Sequence, residues 1–253
     1  VDVFSKEYFI DFPKNFLKNM RPDVSLIAFL KSNYNVEIIN SIFDYFSMFK
    51  TNINERGEIN NVIHQIKILN LYLKDDNLKN EMNEFISRFD IGLKKIHIKK
   101  DITKEEIDKK EISISVQGIH DTKAKNNILD FNYESRGTQS LFFTLANMLS
   151  ALKNNHIVII DEIESGLHPE ALNKIISYFI DENESGHAQL LFSSHSLGFM
   201  NKLDIHQIFL VEKNNDCQSR VYRLNQVKNI RTDDNFLSKY MTGVYGAFPK
   251  IRV

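Results

Sequence analysis

Apolar positions recur every three or four residues through the first third of the chain, then alternate, then gather into short unbroken runs. From Val24 to Phe49, Leu26, Phe29 and Leu30 share one face, and Ile38, Ile42, Phe43, Phe46 and Phe49 come next at helical spacing. Asn54 to Gly57 interrupts this pattern, and a second helical run puts Val62, Ile66, Leu69 and Leu73 on one stripe. Leu78 to Phe89 reads as a third helix with Gly92 near its end as a C-cap. "LKKIHIKK" then alternates, with Leu93, Ile96 and Ile98 set against lysines. "EISISVQGI" alternates more cleanly, with Ile112, Ile114 and Val116 on one face. The expectation is two strands joined by the charged segment 100–111, preceded by a connecting segment over residues 1–22.

The second half has a different rhythm. An apolar helix is expected over Ser140–Leu152, with Leu141, Leu145, Met148, Leu149 and Leu152 as its core positions. "HIVII" is a short continuous apolar run, of the kind buried on both faces of a parallel sheet. A helix over 169–181 opens with Pro169 in its first turn. "AQLLFSS" reads as another buried strand, 196–203 as a short helix, and "IHQIFLVEK" and "SRVYRLN" as two further strands. Strand–helix–strand–helix–strand over 156–212 predicts an α/β fold with parallel neighbours. There is no internal repeat and no low-complexity linker.

Composition narrows the function classes. The chain has 253 residues, and its formal net charge of −1 creates no global field toward nucleic acid, so any such contact must come from local patches. The lone cysteine, Cys217, excludes a disulfide within the chain and sits in the polar stretch "KNNDCQSR" as a passive residue. No apolar run reaches the roughly 20 residues of a membrane span, and no basic-then-apolar leader is present, so the reading is cytoplasmic with no membrane partner.

Candidate chemistry begins where "HIVII" runs into Asp161 and Glu162. In an open parallel sheet, ligands bind beyond the carboxyl ends of the strands. Two adjacent carboxylates there raise each other's pKa unless positive charge is near, and a magnesium-bound nucleoside triphosphate would supply it. A solvated strand end is the plainer alternative. One unit later "AQLLFSS" ends at His195, which could contact a phosphate or simply cap the next helix. Upstream, "NYESRGTQSL" sets Ser135, Gly137 and Thr138 before a helix, an arrangement that taken alone reads first as a plain N-cap and second as an anion site.

The order of the three elements resembles the second half of an ABC-type ATPase domain, the group with the SMC, RecF and OLD-like ATPases. "ESRGTQSL" resembles the signature motif LSGGQ, with Ser135 and Gly137 at its Ser and second Gly. "HIVIIDE" resembles the Walker B strand. The resemblance implies that Asp161 is the Mg²⁺-side acid and Glu162 the catalytic base. "SGLHPE" resembles the D-loop, which puts Ser165, Gly166 and Leu167 at a dimer seam, and "LLFSSHS" resembles the switch strand, which makes His195 a γ-phosphate sensor. The motif departs from the family at Glu134 in place of Leu, Arg136 in place of Gly and Thr138 in place of Gln. Arg136 could add a phosphate contact of its own or be a surface residue.

The end "YMTGVYGAFPKI" is similar to AAA/ABC-like ATPases of bacterial anti-phage and abortive-infection systems. The implied fold is the C-terminal part of a parallel-sheet P-loop-NTPase head with a helical subdomain inserted over 23–92 and the ATPase core over 93–253. The sequence G-x-x-x-x-G-K-[ST] is absent, and the chain has no Gly-Lys dipeptide. The chain begins at Val1, so the expectation is the downstream part of a longer ATPase; a split protein or a non-hydrolysing homologue are the alternatives. The resemblance implies ATP and Mg²⁺ as cofactors and a head-to-tail homodimer or higher oligomer. It implies a switch that senses infection and restrains or releases a toxin or nuclease effector. An SMC/RecF-like DNA-binding ATPase of repair or chromosome maintenance is the alternative. The lysines of "GLKKIHIKKDITKEEIDKK" are interleaved with acids, as on a solvated hairpin tip.

Overall fold

The computed structural model describes residues 20–54, 57–58, 62–89, 92–105, 109–121 and 127–248; for 54, 57–58, 101–105 and 109–112 it describes the backbone alone. The expected connecting segment 1–22 therefore lies almost wholly outside the described residues. The chain divides into two compact units, residues 1–50 and 51–253.

The first unit contains two helices where the periodicity reads as one stretch, α1 (Leu26–Asn33) and α2 (Glu37–Ser47). Ser25 caps α1 by accepting from the Ala28 N–H at 3.2 Å, and the helix ends at an extended Tyr34. Leu30 and Val36 are buried. The Lys31 ammonium pairs with Asp44 and lies 4.4 Å from the centre of the Phe43 ring. Tyr45, Phe46 and Phe49 form an aromatic cluster of tilted and edge-on rings.

The second unit opens at Thr51, the end of a two-residue strand, β1 (Lys50–Thr51). The break expected at 54–57 is an antiparallel hairpin of β2 (Ile53–Asn54) and β3 (Gly57–Glu58). Helix α3 (Val62–Lys74) comes next. Its buried face centres on Ile68 and Tyr72, not on the stripe the periodicity suggests, and Val62 and Ile66 at its start are 67% and 44% exposed. The reason is Tyr72. Its ring lies 4.9 Å from that of Phe142 and its hydroxyl donates to the Phe142 carbonyl at 2.8 Å, so the helix turns to bury both parts of that side chain. Helix α4 (Asp76–Phe89) buries Leu78, Met82, Phe85 and Ile86, one i, i+4, i+7, i+8 stripe.

Strands β4 (Leu93–Glu105) and β5 (Lys109–His120) form one long antiparallel hairpin. Most of the segment expected as a charged connection is paired strand, down to Glu105 opposite Lys109. Strict alternation would put Leu93 and Ile96 on opposite faces, yet both are buried with Ile98. A register shift between Leu93 and Lys95 resolves this, because one extra residue returns the chain to the same face. A short strand the pattern does not reveal, β6 (Asn127–Asp130), pairs with β5.

Helix α5 (Arg136–Asn154) is the centre of the core, with ten of its nineteen residues buried. Leu145, Ala146 and Phe142 are fully enclosed. Truncating such a leucine to alanine costs about 2–5 kcal/mol. Strand β7 (Ile157–Ile160) buries Val158 and Ile160 and only half-covers Ile157 and Ile159. Helix α6 (Pro169–Glu182) starts at Pro169 as expected and returns the chain to β8 (Gln189–Phe192), parallel to β7. The sheet order is β1-β7-β8. β8 is its edge, and Leu191 there is 55% exposed, contrary to the fully buried strand the sequence suggests. The expected helix over 196–203 is loop and a 3-10 turn at Met200–Lys202.

The next strand does not continue the parallel series. β9 (Phe209–Lys213) pairs antiparallel with β10 (Ser219–Arg223) in a separate sheet. A second apolar cluster of Met200, Ile208, Leu210, Leu224, Phe236 and Tyr245 lies beneath it, joined by the unanticipated helix α7 (Phe236–Met241). Cys217 is exposed in the connecting turn at φ 60°. The fold is α/β with a parallel strand pair between helices. Among the described residues, no helix is long and apolar enough to cross a membrane.

Tyr72 gives a test of this core. Burial pushes its hydroxyl well above the ordinary 10, so the folded state holds that proton more tightly than the unfolded state. Its contribution is intact below the unfolded value and is lost as pH rises beyond it. Tyr72→Phe should cost about 1 kcal/mol near neutral pH, and should flatten the loss of stability above about pH 10 in urea titrations. Identical alkaline slopes would contradict the assignment.

Candidate functional site

The carboxyl end of β7 is built by hydrogen bonds from two sides. In the parallel register Ile160 lies opposite Phe192, so the residues next after each strand, Asp161 and Ser193, are neighbours. The Ser193 N–H donates to the Ile160 carbonyl at 3.0 Å, and the Ser193 carbonyl accepts from the Ile163 N–H at 3.2 Å. The Ser193 hydroxyl donates to the Asp161 carboxylate and accepts from the Glu162 N–H at 2.9 Å. On the other side, Asn52 closes on the backbone of Asp161. Its Oδ1 accepts from the Asp161 N–H at 2.8 Å and its Nδ2 donates to the Asp161 carbonyl at 2.9 Å. A side-chain amide here does what a neighbouring strand would otherwise do.

Held in this way, Asp161 and Glu162 are both exposed. Glu162 has φ 47°, a left-handed conformation that costs a non-glycine residue roughly 1–2 kcal/mol. The chain then turns tightly. The Ser165 N–H donates to the Glu162 carbonyl and the Leu167 N–H to the Glu164 carbonyl, each at 2.8 Å, with Gly166 at φ 72°. His168 finishes the turn by capping α6, its Nδ1 accepting from the Glu170 N–H at 3.2 Å.

His195 is reached through Glu164. The Glu164 carboxylate accepts from the His195 N–H at 2.5 Å, which ties the loop after β8 to the turn after β7. Burial works to raise the Glu164 pKa, but the nearby Ser194 side chain and the hydrogen bond from the His195 N–H outweigh it and hold the carboxyl below its usual range. The residues directly after His195 are loop, so it has no helix start to cap, and the Ser194 hydroxyl accepts from the Ser196 N–H at 3.0 Å.

The second part of the site is the start of α5. Ser135 is its N-cap, accepting from the Thr138 N–H at 3.1 Å and sharing a hydrogen bond with the Thr138 hydroxyl at 2.8 Å. The helix's positive end is thus at Arg136 and Gly137, whose N–H groups belong to the first turn, which a helix cannot satisfy internally. Gly137 and Gly166 pack backbone to backbone. A Cβ at 137 would lie 2.6 Å from the Gly166 carbonyl, and one at 166 would lie 3.3 Å from the Arg136 carbonyl carbon. Ser135, Gly137, Thr138, Gly166, Leu167 and His168 line one cleft of about 210 Å³. Arg136 and Ser165 are exposed beside them.

Two groups of expected residues therefore assemble: Asp161, Glu162 and His195 at the strand ends, and Ser135, Gly137, Thr138 and Gly166 at the helix start. Asn52, Ser193 and Glu164 escape the sequence reading. Ser193 was recoverable, since the equivalence of two parallel strand tips puts it beside Asp161. Asn52, 109 residues away, leaves no signal in the sequence.

The Asp161 side chain backed by a serine hydroxyl is an all-oxygen, hard donor set. That suits Mg²⁺, which takes one or two carboxylates and fills its remaining positions with water and phosphate. Among the described residues, no group of three or more His, Cys, Asp and Glu side chains is placed to hold a metal ion. Asn52→Ala should speed amide exchange at Asp161 about tenfold and cost about 1 kcal/mol of stability. Unchanged exchange at Asp161 would contradict the clamp.

No curated protein matches the chain. Among solved structures it is similar to an SMC ATPase described for ATP-driven dimerization and DNA stimulated activation, at 14% identity and TM-score 0.42, covering 75% of this chain and 99% of that one. It is similar to an SMC head bound to the C-winged helix domain of ScpA, at 10% identity and TM-score 0.41, covering 61% of this chain and 45% of that one. A third is the SMC head domain with extended coiled coil from Pyrococcus furiosus, at 10% identity and TM-score 0.40, covering 62% and 38%. A family model matches residues 19–201, well over half of the chain. The chain belongs to that family, whose description is AAA domain, putative AbiEii toxin, Type IV TA system.

Proposed function

We propose that this chain is the signature- and Walker-B-bearing part of an ATP-binding and ATP-hydrolysing switch that works as a head-to-tail dimer. The observation that carries the reading is the Ser193 hydroxyl, which fixes Asp161 and Glu162 together at a strand end while leaving both exposed. A merely solvated pair of surface acids would not need Glu162 in a left-handed conformation.

In this reading Asp161 would hold Mg²⁺, which when bound would draw charge from the phosphates. Glu162 orients the attacking water and takes its proton, and His195 contacts the γ-phosphate from the neighbouring strand end. Ser135, Gly137 and the N-terminal N–H groups of α5, in a second copy, close over that phosphate from the opposite side. Ser165 and Gly166 lie at the seam, and Arg136 and Thr138 border it. Residues 1–253 contain no G-x-x-x-x-G-K-[ST] loop, so this reading assigns no residue of the chain to cradling the β-phosphate.

The switch drives a toxin or nuclease effector in bacterial phage defence. The family description, which names a Type IV toxin–antitoxin system, is what supports this reading, and an SMC/RecF-like role in DNA repair or chromosome maintenance is the alternative. Salt-sensitive DNA binding by the ATP-bound dimer, with no co-purifying protein, would reverse that preference.

The direct test is Glu162→Gln in the complete gene product. Turnover should fall at least about a hundredfold while ATP-dependent dimerisation, measured by sedimentation, strengthens. Loss of dimerisation together with turnover would mean that Glu162 does not act on the water.

A further inference from the structure

Gly118 lies in the middle strand of the β4–β5–β6 sheet, opposite Ile96 on one side and Leu129 on the other. The space its side chain would occupy is filled by Glu134, whose Oε1 lies 1.9 Å from where a Cβ would sit. Glu134 is only 8% exposed, and charged residues are almost never buried without a partner. The partner is His120, two residues along the same face of β5, with Nε2 2.8 Å from that oxygen. The ring nitrogen and the carboxyl oxygen share this hydrogen bond.

The segment around Glu134 is fastened from its other end as well. The Glu134 N–H donates to the Phe131 carbonyl at 3.1 Å. Gln139, one turn into α5, turns its Nε2 back on three carbonyls, those of Phe131, Asn132 and Glu134, at 3.1, 3.2 and 3.0 Å. Ser135 is the next residue. Its backbone is extended, at φ −58° and ψ 150°, and its hydroxyl caps the helix.

Stability alone does not explain a buried carboxylate here. Replacing a buried ion pair by well-packed apolar groups is often neutral or stabilising, whereas such a pair defines direction and distance in a way that apolar contact does not. We propose that Glu134 and His120 are a positioning pair for the phosphate-closing face: they anchor the Ser135–Thr138 start of α5 to β5 and so set where Ser135 and Gly137 stand against the nucleotide held by the second copy. This rests on the composite-site reading above. It also gives a physical role to the residue at which the chain departs from the LSGGQ pattern. Glu134 replaces the apolar anchor of that motif with a hydrogen-bonded one seated over a glycine.

The test uses the complete gene product carrying Glu134→Ala, His120→Ala, both together, or Glu134→Gln, each checked by thermal melting. Two quantities are read: affinity of the dilute monomer for a non-hydrolysable ATP analogue, and the dissociation constant of the analogue-bound dimer. The monomer site contains none of these residues, so its affinity should not change. The dimer should weaken about tenfold in either alanine variant and no further in the double variant, and Glu134→Gln should restore it to within about twofold. Wild-type dimerisation by the alanine variants would overturn the proposal, as would equal loss of nucleotide affinity or a glutamine variant no better than alanine. Where Glu134→Ala fails to fold, His120→Ala carries the same comparison. A wild type that does not dimerise with the analogue would overturn the composite site itself.

Discussion

The burial of α5 is the constraint on which the second unit depends. α3, α4, β7 and α6 all pack against it, and from Leu141 to Ala151 every residue but Phe143 and Thr144 is buried. Packed interiors do not deform continuously, so a helix held in this way has a fixed axis and a fixed first turn. That first turn carries Ser135 and Gly137. The helix's C-terminal end is fixed as well: Asn155 takes a left-handed conformation and its Oδ1 accepts from the His187 N–H at 2.8 Å just before β8. One buried helix thus sets both the helix start that lines the cleft and the level at which the parallel strands begin.

That level in turn places the strand ends. β7 and β8 run in register from Ile157 and Gln189 to Ile160 and Phe192, so their chains leave the sheet side by side. The serine on one chain serves the acids on the other. Ser193 and Asn52 satisfy the backbone around Asp161 and Glu162 without covering the carboxylates, and so the strain at Glu162 persists within a fully bonded surround. Glu164 then links the turn after β7 to the loop after β8, so that His195 and the Gly166 turn share one support.

Much of this is legible in the sequence because it is local. Short apolar runs ending in Asp-Glu and in Ser-Ser-His, a Pro at a helix start, and a Ser-X-Gly before a long apolar helix each reflect residues within a few positions of one another. The failures share a cause too. The buried face of α3 turns on a contact between Tyr72 and Phe142, 70 residues apart. Leu93 and Ile96 share a face only because of a bulge that alternation cannot register. β8 looks like a fully buried strand by its apolar run, and exposure of Leu191 is a matter of its place at a sheet edge. Asn52 is unreadable for the same reason: its role exists only once two distant segments meet. Glu134 is visible as a departure from a motif, but its meaning requires Gly118 and His120.

In the proposed switch, the two halves of the chemistry act across two copies of the chain, and complementation probes that arrangement without an intermediate. In the complete gene product, Ser135→Arg should disable the closing face and Glu162→Gln the strand-end face, each leaving little turnover alone. Mixed in equal amounts, half the dimers would pair one variant with the other, and each of these holds one intact site and one doubly defective site. The expected result is recovery of about a quarter of wild-type ATP turnover. A mixture as inactive as its components would mean that the two groups of residues serve a site within a single chain, and the head-to-tail arrangement would be wrong.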